Sequence, residues 1–152
     1  MNKEETVKVL NSLVEINNDR IEGYETASKE TEEGDLKFMF SDFIQTSQKL
    51  KSELVNEVHR LGGVPAEGTK ISGKFFRVWM DVKAALTAKD RKAILNSCEF
   101  GEDEAVATYE KAIKNDGDEL SSEQKNMIQA HYALIKADHD KIKEMRDVLE
   151  HA

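Results

Sequence analysis

The residues of this sequence that could do chemistry are five polar side chains that fall among apolar ones in long helix-forming segments. They are Asn17, Ser47, Glu102, His131 and Asp138. At 100° per residue, each lies on the apolar side of its own segment, and on the first segment that side also includes Ile21. Burying a carboxylate is costly unless it is paired, protonated or bound to a metal. Glu102 therefore needs a partner, and His131 is the nearest candidate.

Glu102 can be satisfied in two ways, unless the helical phase is off by one residue and leaves its carboxylate partly solvated. In the first, it joins His131, Asn17 and Ser47 in a hydrogen-bonded polar layer that fixes how the helices align, as buried polar residues do in coiled coils. In the second, it shares an iron or manganese ion with His131 or Asp138, because inward carboxylates and histidines hold these metals in helical bundles. We prefer the polar layer as the interpretation and keep the metal site as the alternative.

Helix geometry sets the reach of Glu102. If the last two long segments pair antiparallel about residue 118, Glu102 lies about 4.5 Å along the axis from His131 and about 6 Å from Asp138. A glutamate side chain can span either distance. His131 and Asp138 are about 10 Å apart, so one metal ion is not expected to bind all three residues.

Four long helices must position these side chains. The periodicity predicts them at 3–32, 35–61, 89–115 and 121–150, with a shorter helix at 74–86. Glycine-rich breaks separate them, and a single proline leaves the rest of the 152 residues free to be helical. Asp35 is a candidate cap for the second helix, and Ser121 with Gln124 has the spacing of a capping box before the fourth long helix. Their apolar stripes are buried most simply against one another, so we predict an all-α, four-helix bundle that forms one domain over 1–152. The long link between the second and third helices can cross the bundle.

The short helix in that link has an apolar face of its own. Phe75, Trp79, Val82 and Leu86 share it. The face can cover the flank of the bundle or meet a second subunit, and covering is the interpretation we prefer. If the face is exposed instead, a homodimer is the simplest assembly.

Composition excludes several classes of function. The chain has 22 basic and 30 acidic residues and a net charge of −8, which disfavours nucleic acids and membrane surfaces as partners. No apolar run approaches the roughly 20 residues of a membrane span, and the acidic N-terminus does not lead into a signal peptide. The lone cysteine, Cys98, excludes an internal disulfide and is typical of a cytoplasmic protein. Motifs of nucleotide-binding and acyl-transfer enzymes are absent from the sequence.

The remaining titratable side chains are expected to have ordinary structural roles. His59 and His139 fall off the apolar stripes and His151 lies next to the C-terminus, so we expect all of them in solvent. Cys98 lies inward and is expected to be a small, unreactive core residue. Tyr24 and Tyr109 also point inward and are expected to be core aromatic residues.

Several stretches of the sequence carry a family resemblance. They are Ile21-Glu22-Gly23-Tyr24, Glu53-Leu54 leading to Leu61-Gly62-Gly63-Val64-Pro65, Trp79-Met80-Asp81-Val82-Lys83-Ala84-Ala85-Leu86-Thr87, Cys98-Glu99-Phe100-Gly101-Glu102-Asp103 and His139-Asp140. Together they resemble a bacterial four-helix-bundle family of unknown function within the ferritin-like superfamily, over nearly the whole chain. The resemblance implies the ferritin-like topology, with the crossover between the second and third long helices. It implies no particular activity.

The di-iron members of that superfamily carry a ligand set that this chain lacks. They have a glutamate on each of two helices and Glu-x-x-His on the other two. In this chain, positions that would hold metal ligands are occupied by Asn17, Ser47 and Leu50. Of the di-iron ligand set, Glu102 is the residue that clearly persists. We therefore predict a non-catalytic protein, without a required cofactor, that acts by self-association or by binding a protein partner. The alternative is an iron- or manganese-binding protein with a reduced ligand set around Glu102 and His131.

Overall fold

Helices make up most of the chain in this computed structural model, which describes residues 2–68 and 73–150, without the side chains of 73–78 and 150. In chain order the elements are α1 (Lys3–Glu30), α2 (Gly34–Arg60), α3 (Gly73–Thr87), α4 (Arg91–Lys114), a 3-10 helix (Gly117–Glu119) and α5 (Ser122–Glu150). No strand occurs among these residues, so the all-α prediction is confirmed for them. The helix ends differ from the predicted ones by at most two residues.

Polar caps explain where helices such as α4 and α5 begin. Ser121 and Gln124 form the predicted capping box before α5, with reciprocal backbone-to-side-chain hydrogen bonds of 3.1 and 2.8 Å. Asp90 caps α4 in the same manner, through one hydrogen bond. Asp35, which the sequence suggests as the cap of α2, lies instead in its first turn and forms an ion pair with Arg91. That ion pair joins the starts of α2 and α4.

The helices pack in pairs. α1 lies against α2, α4 lies against α5, and α3 rests on both α1 and α4. The described core forms an apolar cluster toward each end of the long helices. One cluster includes Leu13 and Leu54, and the other includes Tyr24, Phe43 and Ile142. Several buried polar residues lie in the middle turns between these clusters.

The short helix α3 covers the flank of its neighbours. Val82 and Leu86 are buried in the apolar cluster around Tyr24, and the Trp79 ring packs edge-on against the Tyr24 ring at 5.3 Å. A Cβ atom at Gly23 would collide with the Trp79 ring, so glycine allows this close approach. The preferred covering role is confirmed for these side chains, and Phe75 lies outside the described ones.

Charge covers the outside of the helices. Arg60 and Glu57, for example, pair across one exposed turn of α2. Within the two described ranges, no helix is long and apolar enough to cross a membrane. Some large apolar side chains nevertheless remain exposed, among them Phe38, Phe100 and Val148.

Candidate functional site

Arg20 is the centre of the buried polar residues, although it was not among the side chains predicted to point inward. Its Nη2 donates to Glu102 Oε1 at 2.8 Å and to Asp138 Oδ2 at 2.9 Å. Its Nη1 donates to Ser47 Oγ at 2.6 Å, and the Tyr24 hydroxyl donates to the same Glu102 oxygen. We call these five residues the Arg20 network. Because they come from α1, α2, α4 and α5, one guanidinium links all the long helices.

The helical phase of α1 explains how Arg20 reaches this position. The buried side of α1 runs through Leu13, Asn17, Arg20 and Tyr24, whereas Ile21, predicted to point inward, is only half-buried. The stripe is therefore rotated by part of a turn from the predicted one. A signal was present in the sequence: inward carboxylates require a cation, and Arg20 lies one turn from the inward residues Asn17 and Tyr24.

Burial and neighbouring charges shift the pKa values of the residues in the Arg20 network. Burial by itself lowers the pKa of Arg20, but the Glu102 carboxylate, with Tyr24 and Asp138, raises it above its ordinary value. Burial, with the nearby Glu102, raises the pKa of Tyr24 well above its ordinary value, so its hydroxyl stays protonated and donates. Burial raises the pKa of Asp138 to about 6, against the opposing effect of Arg20. A permanent cation thus faces Glu102 and the more exposed Asp138.

A second set of buried contacts holds Asn17 and His131. Asn17 Nδ2 donates to the Tyr109 hydroxyl at 2.9 Å, and the Tyr109 ring lies 6.2 Å from the His131 ring. His131 Nε2 lies 2.9 Å from Glu53 Oε2. Burial lowers the pKa of His131, so the neutral ring donates from Nε2 to Glu53. The expected pairing of His131 with Glu102 is replaced by this contact.

The predicted polar layer is therefore divided. Asn17, Ser47, Glu102 and His131 are all buried as predicted. Ser47 and Glu102 belong to the Arg20 network, whereas Asn17 and His131 contact Tyr109 and Glu53. The difference arises because Arg20 supplies the positive charge that Glu102 was expected to find in a histidine or a metal.

Another group of possible ligands lies where α4 meets α5. One ligand atom from each of Glu99, Asp103 and His139 lies within 4.8 Å of the other two, and we call these residues the His139 cluster. His139 was expected in solvent, but its side chain is 12% exposed, because it faces α4 beside the inner stripe of α5. His59 is exposed as predicted, and His151 lies outside the described residues.

The remaining core residues behave as predicted. Cys98 is a buried free thiol, and burial raises its pKa, which keeps the thiol protonated and weakens it as a nucleophile. Tyr24 stacks on Phe40 at 5.5 Å between ring centroids. The hydroxyls of Tyr24 and Tyr109 are nevertheless hydrogen-bonded, to Glu102 and to the Asn17 amide, so both tyrosines also take part in the polar contacts.

Comparison with known proteins gives a family match. The family model described as "Domain of unknown function (DUF2383)" matches residues 5–115, which is more than half of the chain. The matched range contains Arg20, Ser47 and Glu102, whereas His131 and Asp138 lie beyond it. No curated protein matches the sequence.

Proposed function

We propose, on the premise that this chain belongs to the DUF2383 family, that it is a ferritin-like four-helix-bundle protein without a catalytic centre, which acts by self-association. The observation that carries this proposal is the position of Arg20, whose guanidinium contacts Glu102 and Asp138 together. The positive charge at the centre of the bundle is thus the Arg20 side chain, where a di-iron protein would hold metal ions. The protein then works through its surface.

The directions of the helices support the ferritin-like topology. Contacts between α1 and α4 run in opposite order along the two helices, since Asn17 meets Tyr109 and Tyr24 meets Glu102. α1 also runs antiparallel to α2, to which a three-residue link joins it. α2 and α4 accordingly run in the same direction, as a crossover that contains α3 requires.

The residues of the core do not fit a di-iron centre. A bridged pair of irons needs carboxylates from both halves of the bundle, and Asn17 and Ser47 supply none. The guanidinium of Arg20 would also repel a second cation next to Glu102. A single iron or manganese ion bound by Glu102 and His131 would require Arg20 to withdraw and His131 to leave Glu53.

Exposed apolar side chains support association. Phe38 and Phe100 are 70% and 64% exposed, and Val148 is 64% exposed. The apolar face of α3, the other candidate surface, is covered through Trp79 and Val82. We therefore propose that self-association uses an exposed apolar side chain such as Phe38 on α2 or Phe100 on α4, with a homodimer as the simplest assembly.

We also propose a cytoplasmic location. A buried, unpaired Cys98 is typical of proteins in reducing compartments, where free thiols persist. Fractionation of the cells that make the protein tests this location, and recovery of the chain outside the cytoplasm would contradict it.

Metal analysis tests the absence of a catalytic centre. The protein is purified from cells grown with added iron and manganese, and metal content and oxygen-dependent oxidation of ferrous iron are measured. We expect no oxidation above that of buffer, and the same metal content in wild type and Glu102→Gln. Metal or oxidation that disappears in Glu102→Gln and in Asp138→Asn, but not in the surface control His59→Gln, would overturn the proposal. Circular dichroism establishes that each variant is folded.

Sedimentation velocity tests self-association. We expect the wild type to form a dimer as its concentration rises, and Phe38→Ser or Phe100→Ser to weaken that dimer. Val64→Ser is the matched control, because Val64 is an exposed apolar residue in the loop that follows α2. A wild type that remains monomeric at every concentration contradicts self-association and favours a different protein as the partner.

A further inference from the structure

We propose that the His139 cluster binds one divalent transition-metal ion, with Glu99, Asp103 and His139 as ligands. Glu99 and Asp103 are one helical turn apart on α4, so their side chains leave the same side of the helix. His139 approaches them from α5. A metal ion there would join the two helices at the surface, away from the Arg20 network.

The types and spacing of the ligands suit such an ion. Two carboxylates and one imidazole suit Mn²⁺, Fe²⁺, Co²⁺ or Zn²⁺, with water completing the coordination. Metal–ligand bonds of about 2.0–2.2 Å place neighbouring ligand atoms about 3 Å apart. Nε2 of His139 is already 2.6 Å from Asp103 Oδ1, and the three ligand atoms are within 4.8 Å of one another. Small side-chain rotations would therefore close the site.

The two ring nitrogens of His139 supply a separate argument for a cation. Nε2 faces Asp103, and Nδ1 lies 3.2 Å from Asp140 Oδ1. A neutral imidazole has one N–H, so one of these contacts sets a nitrogen lone pair against a carboxylate oxygen. A second proton or a metal ion relieves that repulsion. If Nδ1–H donates to Asp140, the free lone pair of Nε2 points toward Asp103, which is the arrangement of a carboxylate–histidine–metal site.

Access to the cluster favours a metal ion, and Arg146, a cation that competes with it, has a second partner. The side chains of His139 and Glu99 are mostly covered, whereas that of Asp103 is 52% exposed, which leaves an open side for the ion and its water ligands. Arg146 pairs with Glu99 and competes with the ion. Arg146 also contacts Asp147 at 3.1 Å, so it keeps a carboxylate partner when Glu99 turns to a metal.

The site is distinct from the core residues next to it in sequence. Glu102 and Asp138 precede Asp103 and His139 by one position each, but their carboxylates face Arg20. Loss of metal from the His139 cluster and loss from the core are therefore separable by mutation. Metal bound at the surface also leaves the proposed lack of a catalytic centre intact.

Binding of Co²⁺ and Mn²⁺ to the full chain tests the proposal, by calorimetry and by the visible spectrum of bound Co²⁺. We expect one ion per chain, with affinity reduced by at least about tenfold in His139→Gln and in Asp103→Asn, because loss of a residue that merely orients a ligand already costs about tenfold to a hundredfold. Matched controls are His59→Gln on α2 and Asp81→Asn on α3, both exposed side chains, which should bind as the wild type does.

Several results would overturn the proposal. One is a wild type that binds neither ion. Equal affinity in His139→Gln and wild type is another. Binding that is lost in Glu102→Gln but kept in His139→Gln would place the metal in the core, and would contradict the proposed function as well. Circular dichroism of each variant separates loss of binding from loss of folding.

Discussion

The guanidinium of Arg20 lies against the carboxylate of Glu102, with Nη2 2.8 Å from Oε1, and both side chains are almost completely sealed from solvent. Oε2 of Glu102 accepts no hydrogen bond from any residue that the structure describes. Arg20 therefore neutralises the charge of Glu102, but one of the two carboxylate oxygens lacks a hydrogen bond from the described residues. A buried pair of this kind costs desolvation energy, so its main effect is expected when one partner is removed.

Removing Arg20 alone should destabilise the protein strongly. Arg20→Met leaves Glu102 buried without a counter-charge, which typically costs about 3–5 kcal/mol. In the double variant Arg20→Met/Glu102→Leu no uncompensated buried charge remains at Glu102, and most of the lost stability should return. Urea denaturation measures the free energy of unfolding of all three variants, including Glu102→Leu. A double variant that is less stable than both single variants would contradict direct pairing.

The Tyr24 hydroxyl should contribute measurably to stability. Tyr24→Phe removes a buried hydrogen bond to a charged carboxylate, at an expected cost of about 1–3 kcal/mol. Tyr132 is the matched control, because its hydroxyl donates to Glu110 at 3.0 Å near the surface. Tyr132→Phe should cost less than about 0.5 kcal/mol. Equal losses in the two variants, measured by denaturation, would show that burial of the contact does not matter.

Close packing at Gly23 should make it intolerant of a side chain. Gly23→Ala places a methyl group against the Trp79 ring and should cost about 1–3 kcal/mol. In Gly34→Ala, the control, the added Cβ meets no atom within 4 Å, and stability should be unchanged or slightly higher. Thermal unfolding compares the two variants, and the fluorescence of Trp79, the single tryptophan, reports the local change. An unshifted melting temperature in Gly23→Ala would contradict this packing.

The buried ring of His131 should make stability depend on pH. Burial lowers its pKa in the folded state, against the opposing effect of Glu53, and Lys49 also lowers it. The unfolded chain therefore takes up a proton first on acidification, so the stability from His131 is complete above its ordinary pKa of about 6.5 and is lost as the pH falls below it.

The measurement is the free energy of unfolding at a series of pH values from about 7 to about 5. The wild type should lose more stability over this range than His131→Gln does. The exposed histidine His59 supplies the control, and His59→Gln should follow the wild type. The same pH dependence in His131→Gln and wild type would show that another group is responsible.

The sequence predicts the helices well because their apolar spacing is long and regular. It also predicts that Ser47 and Glu102 are buried, since each interrupts an apolar stripe. Arg20 escapes prediction because a long charged side chain at the edge of a stripe is usually placed in solvent. When Ile21 is placed inward instead, Arg20 is not recognised as the partner of Glu102. A rotation of the α1 stripe by one residue therefore determines whether the core is predicted to contain a cation.

The histidines show a second limit of the sequence. His131 is correctly placed inside, but its partner Glu53 lies on the edge of α2, where periodicity alone assigns a solvated carboxylate. His139 lies on the flank where α4 and α5 meet, and a single inward stripe does not describe that surface. Which flank a helix presents depends on its neighbour, so three-dimensional packing is needed to bring Asp103 and His139 together.

The position of Arg20 has a consequence for how the chain folds. Its carboxylate partners lie 82 and 118 residues further along the chain. In a hairpin of α1 and α2 formed by itself, the Arg20 guanidinium would lie among apolar side chains. Ser47 would be its hydrogen-bond partner there, and no carboxylate of the Arg20 network would be present. Docking of the α4–α5 hairpin supplies both acids at once, so we expect the two hairpins to gain stability jointly, and the N-terminal half to be a poor folding unit when it is expressed alone.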